Sequence, residues 1–317
     1  MENLTHTLVG LMMARCGLEK TGVRGAGMMM LAANIPDIDG VSWLGGNTTY
    51  LTYHRGPTHT LILAPVMALL PILLVRAKIT WRAWIASTSG VLSHLVVDWL
   101  TSFGIPLLWP FSPRRWRLDL FNLIDVWVWV ILLGALAATY LAGLVNREIG
   151  DRKGSGGKHA WAAASLLFFF GYGMLRMVSH QRAIALLSEH LYDGARPKRV
   201  TALPGAVNPF QWRTVVEAGE SPPFVEIGLI RVVGDTNGLP PPRRYPVTAH
   251  TPEMDAALTT RPFRVFSEFS QLPYWQVSPA EGGAEVALTD LRFADPGRPG
   301  FGTVRVFVGQ QGRVEVR

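Results

Sequence analysis

The sequence predicts an α-helical integral membrane domain, with about four spanning helices and a short N-terminal helical hairpin, followed by a small, mainly β extramembrane domain. Two observations carry this reading. Of 317 residues, 49% are hydrophobic and only 17% are charged, against ~25% in ordinary soluble proteins. The charges are also unevenly spread, with 12 in residues 1–100, 18 in 101–200 and 23 in 201–317. We therefore expect two regions, 1–199 and 200–317. A single cysteine, Cys16, rules out a disulfide scaffold.

The first region is defined by missing charge, because an unpaired ionised group in hydrocarbon costs several kcal/mol. Residues 56–75, 126–146 and 159–175 carry none, and 83–113 carry one, Asp98. These runs approach the ~20 residues a helix needs to cross a bilayer, and predict spans near 60–76, 83–101, 125–145 and 159–178. Two shorter apolar runs, 7–14 and 25–36, are too short to span and predict the hairpin. The start has no basic leader, so a cleavable signal peptide is not expected. Beyond residue 200 the pattern changes to short alternating stretches, 224–233, 263–269, 284–293 and 303–308, separated by Gly- and Pro-rich turns, as in an antiparallel β domain.

Basic loops give an orientation, since short cytoplasmic loops collect Lys and Arg. One side gathers Arg15, Lys20, Arg24, Arg76, Lys78, Arg82, Arg147, Arg152, Lys153 and Lys158; the other has Arg55, Arg114, Arg115 and Arg117. The first side is expected to be cytoplasmic, which puts the β domain on the non-cytoplasmic face. The net charge of +7 is then a topological label. It does not mark a nucleic-acid surface, because the basic residues are dispersed among membrane-flanking loops.

Polar chemistry concentrates in the first hundred residues. His94 and Asp98 are four apart on a predicted helix and share a face. Thr5 and Thr58 are candidate N-caps, which would put His6 and His59 in first turns. Pro36, Gly56 and Pro57 break regular structure and leave Asp37, Asp39 and His54 at helix ends. Threaded through the predicted helices, His6, Asp37, Asp39, His54, His59, His94 and Asp98 all fall on one side. Imidazole and carboxylate together suit one or more divalent ions, zinc above all. The expected metal ligands are His6, Asp37, His54, His59, His94 and Asp98, with Asp39 as a general base and Arg55 as a holder of an anionic substrate. Asp119 and Asp125 are read as supporting carboxylates or helix caps.

The motifs Leu4-Thr5-His6-Thr7, Pro36-Asp37-Ile38-Asp39, His54-Arg55-Gly56-Pro57-Thr58-His59-Thr60 and His94-Leu95-Val96-Val97-Asp98-Trp99 resemble, in order and character over about residues 1–150, the YdjM-like, LexA-regulated, membrane-bound metal-dependent hydrolases. The resemblance implies a multi-pass inner-membrane protein with a metal-dependent hydrolase site and no settled substrate. The His94 and Asp98 pair is also distantly similar to that of zinc-dependent phospholipase C. An N-terminal amine ligand, as in that enzyme, is not expected here because the chain starts at Met1. The expected function is hydrolysis of an ester or phosphoester in an amphiphilic substrate, such as a lipid or envelope metabolite. Two other classes compete: a metal or proton transporter, and a non-catalytic membrane scaffold with a structural metal, whose β domain binds a protein partner.

Overall fold

The structure is a computed structural model that describes residues 1–18, 24–148, 156–234, 238–310 and 313–316. Its elements run, in order, α1 (Asn3–Arg15), α2 (Gly25–Ala32), a 3-10 stretch (Ile35–Gly45), α3 (Gly46–Tyr53), a 3-10 turn (Pro57–His59), α4 (Ala64–Met67), α5 (Leu69–Leu74), α6 (Trp81–Trp99), α7 (Val126–Glu148) and α8 (Gly156–Glu189). Then follow β1 (Arg199–Pro204), β2 (Gln211–Ala218), β3 (Phe224–Arg231), β4 (Arg243–Pro246), α9 (Pro252–Leu258), α10 (Arg261–Phe269), β5 (Pro273–Ala280), β6 (Gly283–Asp290), β7 (Thr303–Gly309) and β8 (Val314–Val316). Three basic residues used for the orientation, Lys20, Arg152 and Lys153, lie outside the described residues.

The chain forms two compact units. One comprises Met1–Asp39, Arg55–His180 and Pro204–Pro209; the other comprises Gly40–His54, Gln181–Leu203 and Phe210–Arg317. The boundary is therefore distributed along the chain and not a single cut near residue 200. Segments 40–54 and 181–199 are grouped with the sheets.

The first unit is helical. Among the described residues, two helices are long and apolar enough to cross a membrane, Val126–Asn146 and Gly157–Glu189, which corrects the expectation of four. The expected span at 60–76 is divided into α4 and α5. Pro65 and Pro71 explain the break, since each lacks a backbone N–H and resists a place in a continuous helix. The expected span at 83–101 is the continuous helix α6, but Ala83, Ala86, Ser87, Gly90, Val91, His94, Leu95, Val97 and Asp98 are buried against protein. Such a helix is a core element of the unit, and its polar face is what the site uses.

The N-terminal hairpin is present as α1 and α2. α2 packs between α1 and α6, and two glycines set how closely. A Cβ at Gly10 would lie 2.7 Å from the Met29 carbonyl oxygen, and one at Gly90 would lie 2.7 Å from the Ala32 Cβ. Small residues at helix crossings let backbones approach in this way. α1 is capped by Glu2, whose carboxylate accepts the Thr5 N–H at 3.1 Å. Glu2 thus takes the capping place expected of Thr5, while His6 still falls in the first turn. Glu2 also accepts from the Trp129 indole at 2.6 Å, tying α1 to α7. Leu8, Val9, Met12, Leu120, Phe121, Val128, Leu132 and Ala162 form the core that joins these helices.

The second unit holds two four-stranded sheets, in the orders β1-β2-β3-β4 and β5-β6-β7-β8. The β2–β3 hairpin is antiparallel, with Gln211 opposite Arg231 and Ala218 opposite Phe224. Leu203, Val215, Val225 and Ile227 from one sheet meet Leu272, Tyr274 and Leu291 in a shared core. Trp212 and Tyr274 are buried within this unit. α9 and α10 pack on this unit, and Phe263, Phe266 and Phe269 turn one face of α10 inward.

The close approach of α2 and α6 gives a direct test. Gly90→Ala forces Ala32 aside and should cost about 1–3 kcal/mol, the usual range for overpacking. The expected result is a lower thermal unfolding midpoint in detergent; an unchanged midpoint contradicts the packing described.

Candidate metal centre

Four segments of the first unit bring polar side chains to one buried place. His6 comes from the first turn of α1. Asp37 and Asp39 come from the 3-10 stretch that Pro36 helps start, with the Asp37 N–H donating to the Asn34 carbonyl at 3.1 Å. His59 ends the 3-10 turn opened by Gly56 and Pro57, its N–H donating to the Gly56 carbonyl at 3.0 Å. This turn replaces the helical first turn expected for His59, and Thr58 donates its hydroxyl to Asp39 instead of capping a helix. His94 and Asp98 lie one turn apart on α6.

Each of Asp37, His59, His94 and Asp98 presents a donor atom within 4.8 Å of the others' donor atoms, so the group could hold a metal ion. His59 Nε2 is 3.3 Å from Asp37 Oδ1 and 3.5 Å from Asp98 Oδ2. His94 Nε2 is 3.7 Å from Asp37 Oδ1 and 3.5 Å from Asp98 Oδ2. The two Nε2 atoms are 3.1 Å apart. His6 stacks on His94, with ring centroids 3.8 Å apart, and its Nε2 is 3.4 Å from Asp98 Oδ1.

A second layer fixes the imidazoles. His94 Nδ1 is 2.8 Å from the Ala33 carbonyl; a carbonyl only accepts, so Nδ1 carries the proton and Nε2 turns a lone pair to the cluster. His59 Nδ1 faces Asp39 Oδ2 at 3.2 Å, which orients its Nε2 the same way. Asp39 Oδ2 also accepts the Arg55 backbone N–H at 3.0 Å. Arg55 has a positive φ of 53°, a left-handed conformation strained for a residue with a Cβ. That turn sends its backbone to Asp39 and its guanidinium to Asp98, which it meets at 3.0 Å.

The donor set suits a divalent ion. Buried polar atoms are ordinarily hydrogen-bonded, yet Asp37 Oδ1, Asp98 Oδ2 and both nitrogens of His6 have no hydrogen-bond partner among the described residues. Two imidazole Nε2 atoms and two carboxylates converging on one buried point are complementary to a cation of the zinc type. In the metal-free protein a proton offsets part of this charge. Burial lowers His59, but the surrounding carboxylates of Asp37, Asp39 and Asp98 outweigh it and raise His59 to about 10. Asp37 is held down at about 2 against its own burial, chiefly by the adjacent His59 imidazole, whose Nε2 lies 3.3 Å away. Burial, followed by the His94 ring stacked on it, lowers His6 to about 3.

Other expected residues are placed as follows. His54 belongs to the second unit, where it ends α3 and its ring stacks on Tyr50 with centroids 4.4 Å apart. Asp125 caps α7, accepting the Trp127 N–H at 3.1 Å, and Asp119 is paired with Arg117 at 2.6 Å. Sequence reasoning gave the N-terminal amine no part, but the Met1 amine is buried and donates to Asp98. Ala33 was also missed: its contribution is a carbonyl, which residue type does not reveal.

A helical membrane unit with a buried His/Asp cluster, followed by a β-sheet unit, is the class of protein these features define. The family model for the YdjM inner membrane protein matches residues 1–183, and the chain belongs to that family. Along its length it is 25% identical over 283 residues to the uncharacterized protein YfhP of Bacillus subtilis, covering 86% of this chain and 78% of that one. It is 36% identical over 103 residues to the inner membrane protein YdjM of Escherichia coli, covering 29% of this chain and 50% of YdjM. A stretch of 95 residues is 34% identical to the Escherichia coli inner membrane protein YbcI, covering 27% of this chain and 53% of YbcI. The matched stretch thus spans about half the length of each Escherichia coli relative. No solved structure matches. Family and apolar helices together assign the protein to the inner membrane.

The proton on His59 sets a pH dependence for chelator-treated protein. Its value in the fold, about 10, exceeds the ordinary 6.5, so its stabilisation is complete below 6.5 and is lost as pH rises to about 10. The melting temperature of metal-free protein should therefore fall between pH 7 and 10, and His59→Gln should flatten that fall. An equal fall in the variant contradicts the assignment.

Proposed function

We propose that the protein is a membrane-bound metal-dependent hydrolase acting on an ester or phosphoester of an amphiphilic substrate. The observation that carries this reading is the convergence of Asp37, His59, His94 and Asp98 with buried oxygens and nitrogens that lack hydrogen-bond partners. Zinc is the ion that this nitrogen and oxygen set favours. Its bound water, acidified toward ~7, would be the nucleophile, and its charge would polarise the scissile group.

The chain's own residues have distinct tasks in this reading. His59 and His94 offer Nε2 because Asp39 and the Ala33 carbonyl hold their Nδ1 protons. Such outer partners keep ligands in one orientation and one tautomer. Asp39 serves as a positioning carboxylate, its Oδ2 already engaged by the Arg55 N–H, Thr58 and His59, and a general-base role is the lesser part of its assignment. Arg55 has Nε and Nη1 buried with no hydrogen-bond partner among the described residues, and these N–H groups suit an anionic oxygen of the substrate. His6 stacks beside the set as a further ligand. Membrane anchoring favours a substrate that itself resides in the bilayer. The asymmetry of basic loops supports a site and a β unit on the non-cytoplasmic side.

Metal content and turnover of a chromogenic phosphodiester, measured together, test the proposal. His94→Ala and Asp98→Ala should lose bound metal and turnover. Asp39→Asn should weaken metal binding about 10–100-fold, the usual cost of an outer-shell partner. Arg55→Met should keep the metal and lose turnover. Full metal content and full turnover in both ligand variants, with monodisperse protein, would falsify the proposal.

A further inference from the structure

The loop between α6 and α7 exposes side chains that a water-facing loop ordinarily does not. Phe111 is 83% exposed, and its neighbours Leu108 and Trp109 are 43% and 42% exposed. The turn that presents them is preset: the Phe111 and Ser112 N–H groups both donate to the Leu108 carbonyl, at 2.9 and 3.1 Å. Holding an aromatic ring in water in an ordered turn is unfavourable, and the arrangement gains only if something apolar covers it.

Charge identifies what covers it. Three arginines follow, and two are committed to the protein. Arg117 grips the Asp119 carboxylate at 2.6 Å. Arg115 donates to the Arg55 and Gly104 carbonyls at 3.3 and 3.4 Å. The third, Arg114, is exposed and lies over the Trp116 ring at 4.4 Å, with no carboxylate partner among the described residues. An aromatic cluster beside a free guanidinium is complementary to a bilayer surface, where rings sit at headgroup level and Arg meets lipid phosphate. The loop also lies at the right place in the chain, because nine residues after Arg117 the span α7 starts at Val126.

We propose that Leu108–Arg117 is a docking element for anionic phospholipid headgroups, with Phe111 and Trp109 in the apolar layer and Arg114 on the lipid phosphate. The loop is bonded to the candidate metal centre from two sides. Arg115 reaches the Arg55 carbonyl, and the Leu61 N–H, two residues beyond His59, donates to the Leu107 carbonyl at 3.0 Å. Docking would thus register the His59 turn against the membrane surface. The proposal stands whether or not the centre is hydrolytic, because it is read without substrate.

The test uses full-length protein carrying Cys16→Ser and Phe111→Cys, labelled at position 111 with an environment-sensitive fluorophore, in nanodiscs of phosphatidylcholine with or without phosphatidylglycerol. Expected are quenching by a headgroup-level nitroxide lipid, protection from iodide, and stronger quenching with phosphatidylglycerol. Adding Arg114→Glu should cut that phosphatidylglycerol-dependent gain at least about five-fold, since loss of the cation alone implies that factor and the new carboxylate is repelled as well. A label reached by iodide but not by the nitroxide lipid overturns the proposal. So does a label shielded from both, which would mean that protein covers the loop, and so does an equal gain in the Arg114→Glu variant.

Discussion

A single carboxylate carries most of the architecture of the first unit. Asp98 is fully buried, and its oxygens face the Arg55 guanidinium, the Met1 amine and the imidazoles of His6, His59 and His94. A buried charge costs several kcal/mol unless it is paired and hydrogen-bonded, so the elements that supply partners must stay in place for the fold to form. α1 brings His6, the 57–59 turn brings His59, and the strained Arg55 brings its guanidinium. The position of α6, which carries Asp98, is fixed in turn by the Leu118 and Leu120 N–H groups on the Trp99 and Leu100 carbonyls, at 2.9 and 2.8 Å.

The same constraint explains why the site lies next to small residues. Ala33 can present its carbonyl to His94 only if α2 lies close to α6, and Gly90 permits that approach. Gly10 does the same for α1 against α2, which brings His6 over the His94 ring. Packing at the hairpin and chemistry at the cluster are therefore one problem: a change in helix separation alters an imidazole's tautomer partner before it removes any ligand.

Much of this was legible in the sequence. The i, i+4 spacing of His94 and Asp98 gives their common face directly, and the scarcity of other charge in the first hundred residues marks His6, Asp37 and His59 as worth grouping. The change from charge-free runs to alternating stretches beyond residue 200 announced the sheets, although one of them, 263–269, is the helix α10, whose apolar residues Phe263, Phe266 and Phe269 recur every three positions and not every two. What the sequence concealed had local causes. Hydropathy alone made 60–76 a span, although Pro65 and Pro71 divide it into two short helices. It also gave no sign that α6 is buried by neighbouring helices, because burial in protein and burial in lipid select the same apolar residues. Thr5 and Thr58 have the composition of caps, but Glu2 outcompetes one and Asp39 engages the other. Backbone groups, such as the Ala33 carbonyl and the Met1 amine, leave no mark in residue type.

X-ray absorption at the zinc edge of protein loaded with one equivalent of zinc tests the central claim most directly. Zinc held by this His/Asp set should show a four- or five-coordinate shell of nitrogen and oxygen at about 2.0–2.2 Å, with outer-shell scattering from at least two imidazoles. A sulfur shell at about 2.3 Å, which only Cys16 or a methionine could supply, or zinc that remains surrounded by water alone, would contradict it.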